Sequence, residues 1–129
     1  MKITVYHKNS GISKKNFDMY DNLMKFLQKE YPLKNDLKIF FLDKRIGKMT
    51  TGSHKENHVI KILSKNRMNR DIMRTLTHEW VHEYQRDVLN REKGPNIGGR
   101  NENEANAEAG KVQKKFEKLY PNYVDTIYE

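Results

Sequence analysis

The stretch TLTHEWVHEYQ, residues 75–85, places two of the chain's five histidines four positions apart, with a glutamate directly after the first. Each residue of an α-helix turns by about 100°, so His78 and His82 would lie on the same side, one turn apart. Two imidazoles in this arrangement can bind one metal ion, and Glu79 would project beside them. The stretch therefore predicts a metal site, provided that it is helical.

The residues around the motif favour a helix. Between residues 69 and 93 the apolar side chains follow a helical period, and no Pro or Gly interrupts them. The histidine pair lies roughly opposite the apolar stripe, so the stripe can pack on a sheet while both imidazoles face another layer. The stripe consists of Met73, Leu76, Trp80 and Tyr84.

Upstream of this helix the patterns predict a short sheet with one helix. Alternating or β-branched segments predict strands at 2–7 and 37–43, and a strand pair within 47–63 whose turn lies near residues 55–57. Apolar residues at steps of three and four predict a helix at 13–32, with Ser13 as its N-cap and Pro32 as its stop.

Downstream, GPNIGG at 94–99 breaks the metal helix. Asn101 and Glu104 resemble a capping box that opens a last helix, which Pro121 ends. The predicted order is β-α-β-β-β-α-α, an α+β class with a small mixed sheet, in a single domain over residues 1–129.

Composition limits the kind of metal site. The chain of 129 residues contains no cysteine, so disulfides and thiolate ligands are excluded and any metal must be held by His and carboxylate. No apolar run has the length of a signal peptide or a membrane span, so we expect a soluble, cytoplasmic protein, with a monomer favoured. The net charge of +8 indicates an acidic partner such as nucleic acid, or simply a surface that keeps the protein soluble.

A catalytic zinc site needs a third protein ligand and an open position. The segment ENEAN supplies candidates, because Glu102 and Asn106 lie four positions apart on one helix face. Glu102 would complete a His-His-Glu site. Asn106 would accept a hydrogen bond from the N–H of one imidazole, on the side of the ring that faces away from the metal. Glu104 is the alternative third ligand, although the capping box accounts for it.

These residues resemble the gluzincin metallopeptidases. The likeness rests on HEWVH, nineteen intervening residues, and ENEAN as the equivalent of the clan's Glu-x-x-x-Asp segment. It covers about residues 47–110 and is most similar to the compact ImmA/IrrE-type branch and, less closely, to SprT-like proteins. Asn106 departs from the pattern, since the clan has an acid there and the amide is neutral.

The resemblance implies a minimal zincin-like fold and a zinc-dependent endopeptidase that acts on an intracellular protein. One zinc ion would be bound by His78, His82 and Glu102, with Glu79 as the general base. An edge strand at about residues 48–54 would pair with the substrate. The clan's oxyanion donor follows the metal helix, and the candidates here are Tyr120, Tyr123 and Tyr128.

A second function remains open on sequence grounds. The chain could be a basic module that binds nucleic acid or another protein and keeps a non-catalytic zinc site. Four lysines on one side of the last helix are either a solvated face or a contact for nucleic acid. They are Lys111, Lys114, Lys115 and Lys118.

Overall fold

The computed structural model describes residues 1–45, 52–55, 58–91 and 99–129. The predicted start of the third strand, most of the predicted hairpin turn and the residues 94–98 of the GPNIGG segment lie outside these ranges. Within them, no helix combines the length and apolar character needed to cross a bilayer.

Four strands form one mixed sheet in the order β1-β2-β4-β3. Strands β1, β2 and β4 run parallel, and β3 pairs antiparallel with β4. The register aligns Val5, Ile39 and Ile60 across the three parallel strands, so that their side chains face the core together. The strands are β1 (Ile3–Tyr6), β2 (Leu37–Leu42), β3 (Gly52–Lys55) and β4 (Val59–Leu63).

Helix α1 (Lys14–Glu30) begins and ends where the sequence predicts. The Ser13 hydroxyl accepts a hydrogen bond from the Asn16 amide at 3.1 Å, which confirms the predicted N-cap. The helix returns the chain from β1 to the parallel strand β2, and a connection of this length is what a parallel pair requires.

Helix α2 (Asn69–Asp87) carries the histidine motif and is shorter than the predicted 69–93. Asn90 takes a φ of +54°, in the left-handed region, where the backbone leaves the helical conformation. The amides of Leu89 and Arg91 then donate to the carbonyls of Tyr84 and Gln85, satisfying acceptors of the last turn. An asparagine therefore ends this helix before the predicted break is reached.

Helix α3 (Gly99–Leu119) begins two residues before Asn101, so the predicted capping box is wrong. Asn101 and Glu104 both lie inside the helix. Pro121 ends α3 as predicted, but the chain continues into a 3₁₀ turn (Pro121–Tyr123) and a short helix α4 (Val124–Ile127), neither of which the sequence patterns indicated. Ile127 of α4 is buried in the core.

One hydrophobic core lies between the sheet and the helices. Trp80 of α2 is fully buried in it, and its indole N–H donates to the Tyr31 carbonyl at the end of α1. The predicted apolar stripe of α2 is confirmed, but the buried surface of α2 extends beyond this stripe. Helix α2 packs against α3 as well as against β3 and β4. The described chain is thus α+β, its elements follow the predicted order as far as α3, and the 3₁₀ turn and α4 come after it. Helix α2 is the central helix, since it contacts the sheet and the other helices.

Candidate metal centre

Three side chains from α2 and α3 converge on one point. His78 and His82 project from adjacent turns of α2, and their Nε2 atoms lie 3.1 Å apart. Glu102, in the first turn of α3, places Oε1 3.1 Å from His78 Nε2 and Oε2 2.9 Å from His82 Nε2. Among the described residues, these three form a group whose ligand atoms all lie within 4.8 Å of one another.

The donor set fits a divalent metal ion. Tetrahedral zinc with bonds of about 2.05 Å places neighbouring ligand atoms about 3.3 Å apart, close to the spacings found here. The side chains are 11 to 19% exposed, so the group is mostly shielded while one side stays open. Two imidazoles, one carboxylate and no thiolate form a set that zinc accepts.

Gln85 orients the second histidine, a role that the sequence analysis missed. Its Nε2 donates to the Asn101 carbonyl and to Glu104 Oε1, both at 3.0 Å, so its Oε1 must face His82. The Oε1 lies 2.9 Å from His82 Nδ1, which must therefore carry the proton. The lone pair of His82 Nε2 is consequently directed at Glu102 and His78, as a metal ligand requires.

Glu104 helps to hold Gln85 in place and is not one of the three side chains that converge as candidate ligands. Its carboxylate accepts from Gln85 and from Arg91 Nη1 at 2.8 Å, and it is not in the group that faces the two imidazoles. Burial raises the pKa of Glu104, but the hydrogen bonds from Gln85 and Arg91 lower it by more, and the net pKa is below the usual value. The geometry therefore favours Glu102 over Glu104 as the third ligand.

A cavity of about 260 Å³ opens beside the three ligands. Glu79 lines it together with His78 and Glu102, and its side chain is almost buried. Glu79 points from a different side of α2 than the two histidines, but its carboxylate still lies at the same cavity. The described lining consists of Gly52, Arg74, Thr75, His78, Glu79, Glu102 and Asn106.

Gly52, the first residue of β3, closes one side of the cavity by close approach to α2. A Cβ atom at this position would lie 2.5 Å from Thr75 Cγ2 and 3.1 Å from Glu79 Cγ. Only a residue without a side chain lets the edge strand come this near to the metal helix. Of the edge predicted at about residues 48–54, the structure describes residues 52–54, and they lie on β3 at the edge of the sheet.

Asn106 and Arg74 contribute polar groups to the same cavity. Asn106 lies one turn beyond Glu102 and is exposed, and among the described residues it makes no hydrogen bond to either imidazole. Its predicted role behind a ligand thus stays a prediction. Arg74, one turn before His78, was not singled out from the sequence, although a basic residue four positions before the first histidine was visible there.

The three tyrosines proposed for the oxyanion lie elsewhere in the described structure. Tyr123 stacks on both Tyr120 and Phe116, Tyr120 also contacts Phe116 at a tilt, and the Tyr123 hydroxyl accepts from Asn22 of α1. Tyr128 is hydrogen-bonded to Gln113 on the far part of α3. None of the three is among the described residues that line the cavity.

A buried carboxylate follows the second histidine directly. Glu83 is 1% exposed and is held between His58 Nδ1 and Arg86 Nη2, the latter at 2.7 Å. His58 precedes β4 with a φ of +62°, so this bond ties the end of the hairpin to α2. A carboxylate at this depth needs such hydrogen-bonding partners, and the bond to His58 connects α2 to the residue before β4.

Comparison of the chain with protein-family models, curated proteins and solved structures found no match.

Proposed function

We propose that the chain is a zinc-dependent metallopeptidase with a minimal zincin-like fold of the gluzincin kind. The observation that carries this proposal is the convergence of His78, His82 and Glu102 beside a cavity that Glu79 also lines. The first two ligands and the base come from one helix and the third ligand from the next. The HExxH interpretation of the sequence requires this distribution of the ligands and the base over two helices.

His78, His82 and Glu102 would hold one zinc ion, which when bound polarises a carbonyl group and lowers the pKa of water toward about 7. Gln85 holds the His82 ring in the tautomer that presents Nε2. Glu104 accepts from both Gln85 and Arg91, so contacts within the protein fix the orientation of this ligand.

Glu79 would act as general base and then as general acid. Its carboxylate takes the proton of the attacking water and passes it to the amine of the departing peptide. Low exposure of the side chain keeps bulk water from competing for that proton. The oxyanion donor is left open by the geometry, because the tyrosines considered for it lie outside the described lining.

The experiment that tests the proposal is Glu79→Gln. We expect the variant to retain about one zinc per chain by elemental analysis, and to hydrolyse peptides about 10² to 10⁴-fold more slowly than wild type, the usual contribution of a general base. Glu30→Gln makes the same change at an exposed position that ends α1, outside the described lining, and should keep both properties. A Glu79→Gln variant that cleaves at the wild-type rate would refute the assignment.

A basic binding module with a non-catalytic zinc site remains the alternative. The lysines of α3 give it limited support, because Lys111 lies 3.5 Å from Glu108 and Lys115 lies 3.9 Å from Glu30. Affinity for single- or double-stranded nucleic acid that falls steeply with added salt, without hydrolysis of any peptide, would favour this second function.

A further inference from the structure

Arg74 is the basic residue of the described cavity lining. It is exposed, and within the described part of the chain it makes no hydrogen bond or ion pair. The neighbouring arginines of the same region differ from Arg74, because their guanidinium groups have hydrogen-bonding partners. The guanidinium of Arg67 is bonded to the carbonyls of Leu63 and Asp71 and to Thr75 Oγ1, and that of Arg86 to Glu83. Arg74 thus presents an uncommitted guanidinium at the mouth of the site.

The charges of the cavity make this position suited to an anion. The described lining carries two carboxylates, Glu79 and Glu102, and one guanidinium, for a net charge of −1 with neutral histidines. A divalent cation between the ligands would bring the total to +1. The excess positive charge then lies at Arg74, because the cation is offset by the carboxylates around it.

Helix geometry sets the distance between Arg74 and the reacting bond. Four residues separate it from His78, which is about 6 Å along the helix axis. An extended peptide rises about 3.3 Å per residue, so a group that Arg74 contacts lies about two residues from the bond held at the ligands. Arginine's planar fork binds a carboxylate through two parallel hydrogen bonds.

We propose that Arg74 selects substrates that carry a carboxylate within about two residues of the scissile bond. This inference rests on the proposed peptidase function and names the substrate class of that same site. The carboxylate is either an Asp or Glu side chain or the free C-terminus of the peptide. Arg74 acts in binding and not in the proton transfers that Glu79 carries out.

The test compares three peptides of one sequence. One has an internal Glu two residues from the cleaved bond and an amidated C-terminus, one has Gln there and an amidated C-terminus, and one has Gln and a free C-terminus placed two residues from the bond. The sequence is taken from cleavage sites found by digesting a complex peptide mixture with the zinc-loaded protein. KM and kcat are measured for wild type, Arg74→Gln and the control Arg70→Gln.

Arg70 is the matched control because it is exposed on the same helix, one turn earlier, and is not among the described residues that line the cavity. We expect wild type and Arg70→Gln to show a KM about tenfold lower for one or both carboxylate peptides than for the amidated Gln peptide. Arg74→Gln should lose this preference with kcat unchanged. The peptide that shows the preference identifies the source of the carboxylate.

Two results would overturn the inference: equal KM for all three peptides in wild type, or an Arg74→Gln variant that lowers kcat equally for all of them. The affinities of the same peptides for zinc-loaded Glu79→Gln provide a readout without turnover. If the protein cleaves nothing, alanine-based peptides with the same three endings are titrated by calorimetry instead. A carboxylate preference that Arg74→Gln abolishes would then support the inference even though the peptidase proposal fails, and no preference would refute it.

Discussion

At the scale of single residues, the orientation of the candidate ligand His82 depends on a glutamine that no motif marks. Gln85 is 2% exposed, and each of its polar atoms has a specific partner. The spacing of three residues from His82 puts the amide within reach of the ring, and the first two turns of α3 supply the acceptors that fix its orientation. The tautomer of the histidine is therefore decided by a contact between two helices.

We predict that Gln85→Met weakens zinc binding by about 10 to 100-fold, the usual cost of losing a partner behind a ligand. Methionine approximates the size of glutamine but cannot accept the Nδ1 proton or bind Asn101. Competition with a chromogenic chelator measures the dissociation constant. Gln113→Met is the control, since Gln113 lies on α3 outside the described lining of the cavity and its amide donates to the hydroxyl of the exposed Tyr128. Equal zinc affinity in Gln85→Met and wild type would contradict this role.

Replacement of Gly52 and of Gly110 by alanine should have opposite effects on the free energy of unfolding. Gly52→Ala would place a Cβ against Thr75 Cγ2 at 2.5 Å, and Thr75 cannot turn away freely because its Oγ1 is bonded to Arg67. We expect a loss of about 1 to 3 kcal/mol in the free energy of unfolding, and reduced hydrolysis because Glu79 is displaced. At Gly110, inside α3, an added Cβ atom would meet no atom within 4 Å apart from its chain neighbours and the backbone of its own helix.

For that reason Gly110→Ala should raise the free energy of unfolding by about 1 kcal/mol, the difference in helix propensity. Urea denaturation of both variants measures the two changes under the same conditions. A Gly52→Ala protein as stable and as active as wild type would show that β3 does not approach α2 in the way described.

At the scale of elements, a carboxylate connects the end of α2 to the loop between α1 and β2. Asp87, the last residue of α2, accepts from the amides of Lys34 and Asn35 at 2.7 and 3.1 Å and from the Asn35 side chain. Burial raises the pKa of Asp87, but the hydrogen bonds from Asn35 and Lys34 lower it by more, so the net pKa is below the usual value.

A lowered pKa in the folded state has a defined sign. The ionised carboxylate of Asp87 stabilises the fold above its unfolded pKa of about 3.9, and this contribution is lost as the pH falls through the lower folded value. We predict that Asp87→Asn costs about 1 to 3 kcal/mol at pH 7 and that the difference from wild type disappears in the acid range. Urea unfolding between pH 2.5 and 7 measures it. A difference that stays constant with pH would contradict the assignment.

The elements themselves were predicted well wherever local pattern decides them. The strands and α1 follow from periodicity and caps, and His78, Glu79, His82 and Glu102 were named from spacing and are brought together. The failures lie where a contact between elements decides. The end of α2 depends on the left-handed Asn90, and the register of α3 places Glu104 on Gln85 and Arg91 instead of in a cap.

At the scale of the whole molecule, the three candidate metal ligands lie on two helices, α2 and α3, whose connection includes residues 92–98. An ion bound by His78, His82 and Glu102 would link α2 to α3, which already share the most extensive helix contact of the described fold. Because such an ion binds the folded state in preference to the unfolded chain, it must stabilise that state.

We therefore predict that zinc at 100 times its dissociation constant adds about 2.7 kcal/mol to the free energy of unfolding and that EDTA reverses the effect. Differential scanning calorimetry, with and without zinc, measures the shift in Tm. Glu102→Gln should abolish most of the shift, whereas Glu30→Gln, the same change on the exposed end of α1, should retain it. A Tm that does not respond to zinc would contradict a site that connects the two helices.

The length of β1 has a consequence for edge-to-edge association. The outer strand β1 has four residues, whereas the inner strands β2 and β4 have six and five. A short border leaves few unpaired backbone groups on which a second molecule could extend the sheet. On the side of β1, the parallel centre of the sheet is thereby protected from edge-to-edge aggregation, because β1 is too short to serve as a template for another chain.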